Sequence, residues 1–224
     1  TPTASDAELL ELAIERNATH GLQLSQGDKE KLAGRLYSAF LANRPSKCES
    51  ATYKERLCRI LGATERSVHR WTSRDDKQHE RSLEAVAFSL WLSCEQQEAI
   101  ANHVGWSQPK VVDFIKNRQM AISDNPGSQE HAKANHADET FKRPLYNVWK
   151  QQEKSAGSGH FGNTESRWLD NLLYLYTAPF DVVIDPFAGG GSTIGVCKKR
   201  FRRDYVSDRK PIVEREKEIR KYDL

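Results

Sequence analysis

The stretch VVIDPFAGGGSTIGVCKKRFRRDYVSD, residues 182–208, decides the fold of the C-terminal part of the chain. It opens with an apolar run that ends in Asp185 and that is typical of a strand buried in a parallel sheet. Three glycines follow, and a helix is predicted to begin near Ser192 or Thr193. Glycines let the backbone approach a ligand, and a helix N-terminus offers unpaired N–H groups to polar atoms. The stretch therefore predicts a ligand-binding corner made of a strand, a loop and a helix.

Two common nucleotide-binding motifs do not match this corner. A phosphate-binding P-loop requires a lysine before its final serine or threonine, whereas Gly191 precedes Ser192 here. The dinucleotide motif G-x-G-x-x-G, counted from Gly189, requires a third glycine where Ile194 stands. The spacing therefore disfavours both a nucleoside triphosphate and a dinucleotide.

The run DPFAGGGS, residues 185–192, resembles the D-P-F-x-G-x-G-[ST] motif of the amino-methylating DNA methyltransferases, which act on N6 of adenine or N4 of cytosine. Every position of that motif is filled. The resemblance implies S-adenosylmethionine as the cofactor and an incomplete Rossmann-like class I methyltransferase segment, so that the whole chain has an α + α/β fold. It also implies that the cofactor is contacted by Asp185, Phe187, Ala188, Gly189 and Gly191.

The resemblance extends to both sides of the motif. Residues 162–187 are similar to the family's preceding cofactor motif, a helix whose beginning lies over the methionine end of the cofactor. The contacts that this implies are Asn163, Thr164 and Ser166. Tyr205 and Val206 are predicted to form the second strand. Asp208 follows them, where an acid typically holds the ribose hydroxyls, and Asp223 falls where the next acid often meets the adenine amino group.

Both acids of the corner also have simpler interpretations. Asp185 could merely cap the helix, and Asp208 could be a solvated loop acid. The basic run at residues 198–203 could contact DNA phosphates, but a helix C-terminus stabilised by the helix dipole is the interpretation that we favour. For the two acids, the surrounding DPFAGGGST context favours the functional interpretation.

The family's catalytic motif has no match in this sequence. That motif, [DNS]-P-P-[YFW], polarises the target amine and stacks an aromatic ring on the flipped base. No two of the 8 prolines are adjacent. We therefore assign no catalytic residue and expect this chain alone to be inactive. Because the region before the cofactor motifs offers no candidate, we expect a truncation, with the catalytic half following Leu224.

The N-terminal part, residues 7–120, is predicted to be all helical, because apolar residues recur there at spacings of three and four. A repeat lies inside it: residues 56–71 align with residues 99–114, which superposes Gly62 on Gly105. Each copy has a short helix, a glycine able to take positive φ, a capping serine or threonine, and apolar anchors. This is the helix-turn-helix pattern, and the two copies in tandem predict a DNA-binding region.

The first copy has the better DNA-reading face. With Val68 and Trp71 turned to the core, its second helix presents side chains that can reach base edges and phosphates, namely Thr64, Glu65, Arg66, His69 and Arg70. The second copy presents fewer donors and an acid, so we expect it to be structural. Upstream, NATHGLQLSQGDK, residues 17–29, is similar to the entry of ParB-type DNA-binding domains, although an ordinary helix-to-helix turn would also explain it.

We expect three segments: a ParB-like helical region over residues 1–120, a linker over residues 121–140, and a partial cofactor-binding domain over residues 141–224. The linker has Ile122 as its only large aliphatic residue. The formal charge of +3 is uneven, since residues 141–224 hold 16 basic and 11 acidic side chains. This balance neither establishes nor excludes a nucleic-acid partner.

The expected partner is double-stranded DNA, with a homodimer as an option and no membrane. No stretch approaches the roughly 20 apolar residues of a membrane span, so we expect a cytoplasmic protein. The four cysteines lack metal-ligand spacing and are expected to be reduced, with no metal site. The main alternative is a ParB-like partition or regulatory protein without methylation activity. A methyltransferase for RNA or small molecules is a third option, against which the tandem helix-turn-helix repeat argues.

Overall fold

The computed structural model describes residues 6–19, 24–43, 45, 47–143, 145 and 164–222. Residues 20–23 of the ParB-like segment, Asn163 and Asp223 lie outside the described residues. In chain order the helices are α1 (Asp6–Thr19), α2 (Gln26–Leu41), α3 (Lys47–Leu61), α4 (Glu65–Leu92), α5 (Gln97–Val104), α6 (Gln108–Ser123), α7 (Gln129–Ala134), α8 (Ser166–Tyr176) and α9 (Ser192–Lys199), and the strands are β1 (Val182–Asp185), β2 (Arg203–Asp208) and β3 (Arg220–Lys221).

The chain forms two compact units, Thr1–Ala85 and Val86–Leu224. The regular structure described within residues 7–120 is helical, as the periodicity predicts. Its division differs from the prediction, because residues 86–120 group with the C-terminal strands and not with the helices before them. The reason is that the end of α4, a single helix of 28 residues, packs on the C-terminal segment, with the Phe88 ring centroid 6.1 Å from that of Phe201 and the Trp91 ring centroid 5.9 Å from that of Phe180. The functional labels given to the three segments stay predictions.

The first unit packs around a core from α1 to α4. Leu36, Tyr37 and Leu57 are fully buried, and Val68 and Trp71 of α4 join them. The ring of Phe40 stacks on that of a tyrosine in α3, with ring centroids 4.1 Å apart. Burying a side chain of this size contributes about 2 kcal/mol, so these contacts fix one face of α4 against the unit.

Residues 121–140, predicted to be a linker, are built into the second unit. They contain α7, which begins after its capping residue Ser128, and Ala134 at its end is fully buried. Arg202 donates to the Ala134 carbonyl oxygen, and Arg200 donates to the Lys133 carbonyl oxygen at 3.2 Å. The segment has few large apolar residues, but guanidinium groups and the buried Ile122 and Ala134 hold it in place, and its composition alone does not reveal this.

The second unit contains the predicted strand–helix–strand corner, and the prediction is confirmed. β1 pairs in parallel with β2, with Val182 opposite Arg203 and Asp185 opposite Val206, and α9 connects them. β3 adds to the other edge of β2, also in parallel. The described chain is thus mostly helical with a small three-stranded parallel sheet, which is compatible with an α + α/β fold.

One face of this sheet is covered and the other is open, which corrects the prediction of a fully buried strand. Val183 packs against α8 and α9, and Val206 lies in a cluster with Ile194. On the opposite face, Ile184 is 70% exposed and Val182 is 49% exposed. The reason is that β1 is an edge strand with helices on one side only in the described chain. Within that part of the chain, no helix combines the length and apolar character needed to cross a membrane.

Candidate functional site

Asp185 ends β1 and holds the loop that follows it. One carboxylate oxygen accepts a hydrogen bond from the Phe187 backbone N–H at 3.0 Å, and the other accepts one from the Thr193 hydroxyl at 2.6 Å. The same side chain therefore closes the turn after the strand and ties that turn to the first residues of α9. This geometry accounts for Asp185 as a positioning residue of the loop.

Asp208 brings the end of the second strand to the same loop. Its carboxylate accepts from the Gly189 backbone N–H at 2.8 Å and from the Lys210 backbone N–H at 2.9 Å. The Ala188 backbone N–H donates to the Ser207 carbonyl oxygen at 3.1 Å. The two acids predicted from the sequence thus lie at the carboxyl ends of neighbouring parallel strands, the edge at which open α/β sheets bind ligands.

Two glycines of the loop adopt conformations that other residues avoid. Gly189 has φ of 51° and Gly191 has φ of 73°, both in the left-handed region. A Cβ atom on Gly191 would lie only 2.8 Å from Cδ of Arg215. Arg215 also donates to the Gly191 carbonyl oxygen at 2.8 Å, so its side chain lies directly over the loop. Nothing in the sequence indicates Arg215, because it lies 24 residues further along the chain.

The other predicted cofactor residues surround this corner to different degrees. Phe187 is 79% exposed beside the glycines, whereas Ala188 is 7% exposed and packs beneath them. Thr164 is exposed, and Ser166 begins α8, which packs against α9. The structure therefore joins Asp185, the glycine loop and Asp208 by direct contacts, while the contacts predicted for Thr164 and Ser166 stay predictions.

Comparison with known proteins shows to which family this chain belongs. A family model for N6/N4 DNA methylases matches residues 63–215, which is more than half of the chain. The chain belongs to this DNA methylase family. No curated protein and no solved structure matches it. The matched range, residues 63–215, includes the corner described above and also α4, α5 and α6, whereas α1, α2 and α3 precede it.

Behind the corner, a buried cluster of charged groups supports α8 and α9 of the DNA methylase. Arg200 is fully buried and donates to both carboxylate oxygens of Asp170, at 2.6 and 2.7 Å, and to Asp138 at 2.6 Å. His136 lies with Nε2 3.1 Å from Asp170 Oδ1. Burial alone would raise the pKa of Asp170, but His136 and Arg200 outweigh it and lower that pKa to about 2. We call these residues, together with Arg202, the buried arginine cluster.

This cluster corrects one interpretation of the basic run at residues 198–203. Arg200 and Arg202 are 0% and 2% exposed, so neither can contact DNA phosphates. Arg202 donates to the Thr177 hydroxyl at 2.9 Å and to the Thr177 carbonyl oxygen at 2.9 Å. The acceptors of these two arginines lie up to 68 residues away in the sequence, so no local sequence pattern could show that the arginines are buried.

A second buried carboxylate behaves in the opposite way. Asp204 on β2 is fully buried, and both of its carboxylate oxygens lack a hydrogen-bond partner among the described residues. Burial raises its pKa to about 6, although Lys198 acts to lower it. The neutral form of this acid therefore persists to higher pH than that of an exposed aspartate.

The first helical corner of the DNA methylase has the predicted local geometry. Gly62 between α3 and α4 has φ of 54°, and the Thr64 hydroxyl accepts from the Ser67 backbone N–H at 3.3 Å, which caps α4. Val68 and Trp71 are buried. All five predicted DNA-reading side chains, Thr64, Glu65, Arg66, His69 and Arg70, are exposed.

The second corner repeats the first in its backbone. Gly105 has φ of 69°, and the Trp106 backbone N–H donates to the Ala101 carbonyl oxygen at 3.0 Å. In the first corner the aligned hydrogen bond, from the Ala63 backbone N–H to the Cys58 carbonyl oxygen, is also 3.0 Å long. The internal repeat is thus confirmed as a repeated helix–glycine–helix corner, while its use as a helix-turn-helix on DNA stays a prediction.

Proposed function

We propose that this chain is the DNA-binding and S-adenosylmethionine-binding portion of a site-specific DNA methyltransferase that acts on the amino group of adenine or cytosine. The observation that carries the proposal is the hydrogen bond from Gly189 to Asp208, which joins a left-handed glycine loop to an acid at the next strand end. Membership of the DNA methylase family supports the same conclusion.

The chemistry of the corner fits this cofactor. A carboxylate at the end of β2 suits ribose hydroxyls, and glycines in the left-handed region expose loop backbone to a ligand. Phe187 offers an exposed aromatic ring beside them. In this proposal Asp208 holds the ribose, and the rest of the cofactor is contacted by Asp185, Phe187, Ala188, Gly189 and Gly191, with Asn163, Thr164, Ser166 and Asp223 as further contacts. When bound, the cofactor supplies an electrophilic methyl group.

The chain's own part in the reaction is binding and positioning. Asp185 fixes the loop through Phe187 and Thr193, and this preorganises the corner before a ligand arrives. No Pro-Pro pair occurs in the sequence, so none of its residues is assigned to polarise the target amine. DNA is held by the first helix-turn-helix, through the exposed side chains from Thr64 to Arg70.

Two glycines provide a matched test of cofactor binding. Gly191→Ala places a Cβ on a left-handed residue, 2.8 Å from Arg215, whereas a Cβ on Gly195 in the same segment meets nothing within 4 Å. Calorimetric titration with S-adenosylmethionine should show binding by the parent chain and by Gly195→Ala, and at least tenfold weaker binding by Gly191→Ala. The left-handed strain alone costs about 1–2 kcal/mol.

Circular dichroism should show that both variants keep the parent's helical content. If Gly191→Ala binds as tightly as Gly195→Ala, or if the parent binds no S-adenosylmethionine, the cofactor assignment is wrong. The remaining interpretation would then be a ParB-like DNA-binding regulator without methylation activity.

A further inference from the structure

All the lysines and arginines of α4 lie on one face of that helix. The five side chains are exposed and follow one another at spacings of four, four, three and four residues, namely Arg66, Arg70, Arg74, Lys77 and Arg81. Such spacings keep side chains on one side of an α-helix. At 1.5 Å per residue the row is about 22 Å long. We call it the α4 basic row, and all of it lies within the first unit.

Three of the five acids of α4, namely Glu65, Asp75 and Asp76, lie off the face that carries this row. Asp76 accepts from the Tyr37 hydroxyl at 2.6 Å and from Lys54 at 2.6 Å, and Asp75 accepts from the Ser38 hydroxyl at 3.1 Å. Glu80 and Glu84 are half-buried and follow Lys77 and Arg81 by three residues, so they border the C-terminal end of the row. The helix holds five acidic and five basic side chains, so its net charge of zero conceals this separation.

No hydrogen bond or ion pair joins a side chain of the α4 basic row to another of the described residues. Like charges three or four residues apart on a helix repel one another and destabilise it by a few tenths of a kcal/mol per pair. The row therefore carries a small, repeated electrostatic cost, which Glu80 and Glu84 can reduce only at its C-terminal end. An extended anionic partner would offset it.

We propose that the α4 basic row binds the phosphate backbone of duplex DNA, extending the interface well beyond Arg66 and Arg70. This rests on the proposed function, in which the corner before α4 reads DNA. The row's length corresponds to roughly six base pairs at 3.4 Å per pair. A membrane surface is disfavoured because the apolar side of this part of α4, at Val68 and Trp71, is buried in the unit's core and cannot insert.

The sharpest test removes the two cations in the middle of the row. Arg74→Gln/Lys77→Gln should weaken binding to every duplex roughly thirtyfold at about 0.15 M salt, because each phosphate contact contributes about fivefold there. The slope of log K against log salt should become shallower by about 1.8. Lys31→Gln/Arg35→Gln is the matched control, since it removes one lysine and one arginine from exposed positions on α2. The control should bind like the parent chain.

Fluorescence anisotropy with unrelated duplexes, double-stranded RNA and anionic vesicles separates the outcomes. If the parent binds DNA and loses it on Arg66→Ala/Arg70→Ala but not on Arg74→Gln/Lys77→Gln, this inference is overturned while the proposed function stands. If the control weakens binding as much as the row variant, the effect is only net charge and the inference is also overturned. If the parent binds RNA or vesicles but no duplex DNA, both the inference and the DNA-binding part of the proposed function fail.

Discussion

Two groups of basic side chains in this DNA methylase have opposite environments. The α4 basic row is exposed along one helix face, with no side-chain partner among the described residues. In the buried arginine cluster, Arg200 and Arg202 are almost entirely enclosed and are engaged by carboxylates, hydroxyls and carbonyl oxygens. Both groups are sets of cations close together in the sequence, yet only the first is exposed to a partner such as DNA.

The difference shows that the positions of acceptors matter more than the density of positive charge. Arg200 finds its acceptors on segments 30 to 67 residues away, which folding brings around it. The cations in the middle of α4 have Asp75 and Asp76 nearby in sequence, but Tyr37, Ser38 and Lys54 engage those two acids on another face of the helix. One group therefore stabilises the fold, and the other is available to a partner.

The largest effect is expected on removing Arg200. Arg200→Met should lower the free energy of unfolding by about 3–5 kcal/mol, because buried Asp170 and half-buried Asp138 would lose the guanidinium that donates to them. Urea unfolding followed by circular dichroism measures this. The control is the neighbouring Lys199, whose Nζ lies 4.0 Å from Oδ2 of Asp170 and whose side chain is 41% exposed. Because such an exposed ion pair is weak, Lys199→Met should lower the free energy of unfolding by less than about 1 kcal/mol. Equal losses for the two variants would contradict the cluster's structural role.

A smaller effect should appear in the pH dependence of stability. The pKa of Asp204 is raised to about 6, so its contribution to stability is present below about pH 4 and is lost as pH rises through about 6. Asp204→Asn should remove this loss of about 3 kcal/mol. The pKa of Asp170 is lowered to about 2, so its contribution is present above about pH 4 and is lost as pH falls towards 2.

Unfolding free energies measured between pH 2 and 8 would separate the two acids. Asp204→Asn should make stability less dependent on pH between about pH 4 and 6 and leave its dependence between about pH 2 and 4 unchanged. Asp170→Asn should instead reduce the dependence between about pH 2 and 4. Identical curves for the parent and Asp204→Asn would show that this carboxyl is not buried in its charged form.

The smallest effects concern single exposed cations of α4. Arg66→Ala and Arg70→Ala should each weaken duplex binding about fivefold at about 0.15 M salt if the side chain contacts a phosphate. A contact with a base edge would instead relax specificity at one position. Neither change should alter the unfolding midpoint, because both side chains are exposed. Binding by both variants like the parent at several salt concentrations would place the DNA-reading face elsewhere.

Features with local causes can be predicted from the amino-acid sequence. The strand, loop and helix around Asp185 follow from an apolar run, glycines and a helix start within a dozen residues. The two helix–glycine–helix corners follow in the same way, and the exposure of Arg66 and Arg70 follows from burial of Val68 and Trp71 three residues or fewer away. Such patterns depend on backbone geometry and side-chain periodicity, which neighbouring residues fix.

Packing of the whole chain accounts for the features that depend on distant partners. It placed Arg215 over Gly191, enclosed Arg200 and Arg202, and built residues 121–140 into the second unit. It also left Ile184 exposed on one face of an edge strand. A side chain's partners are set by where the whole chain packs, and an arginine has the same local sequence signature whether its acceptor is a buried aspartate or a DNA phosphate.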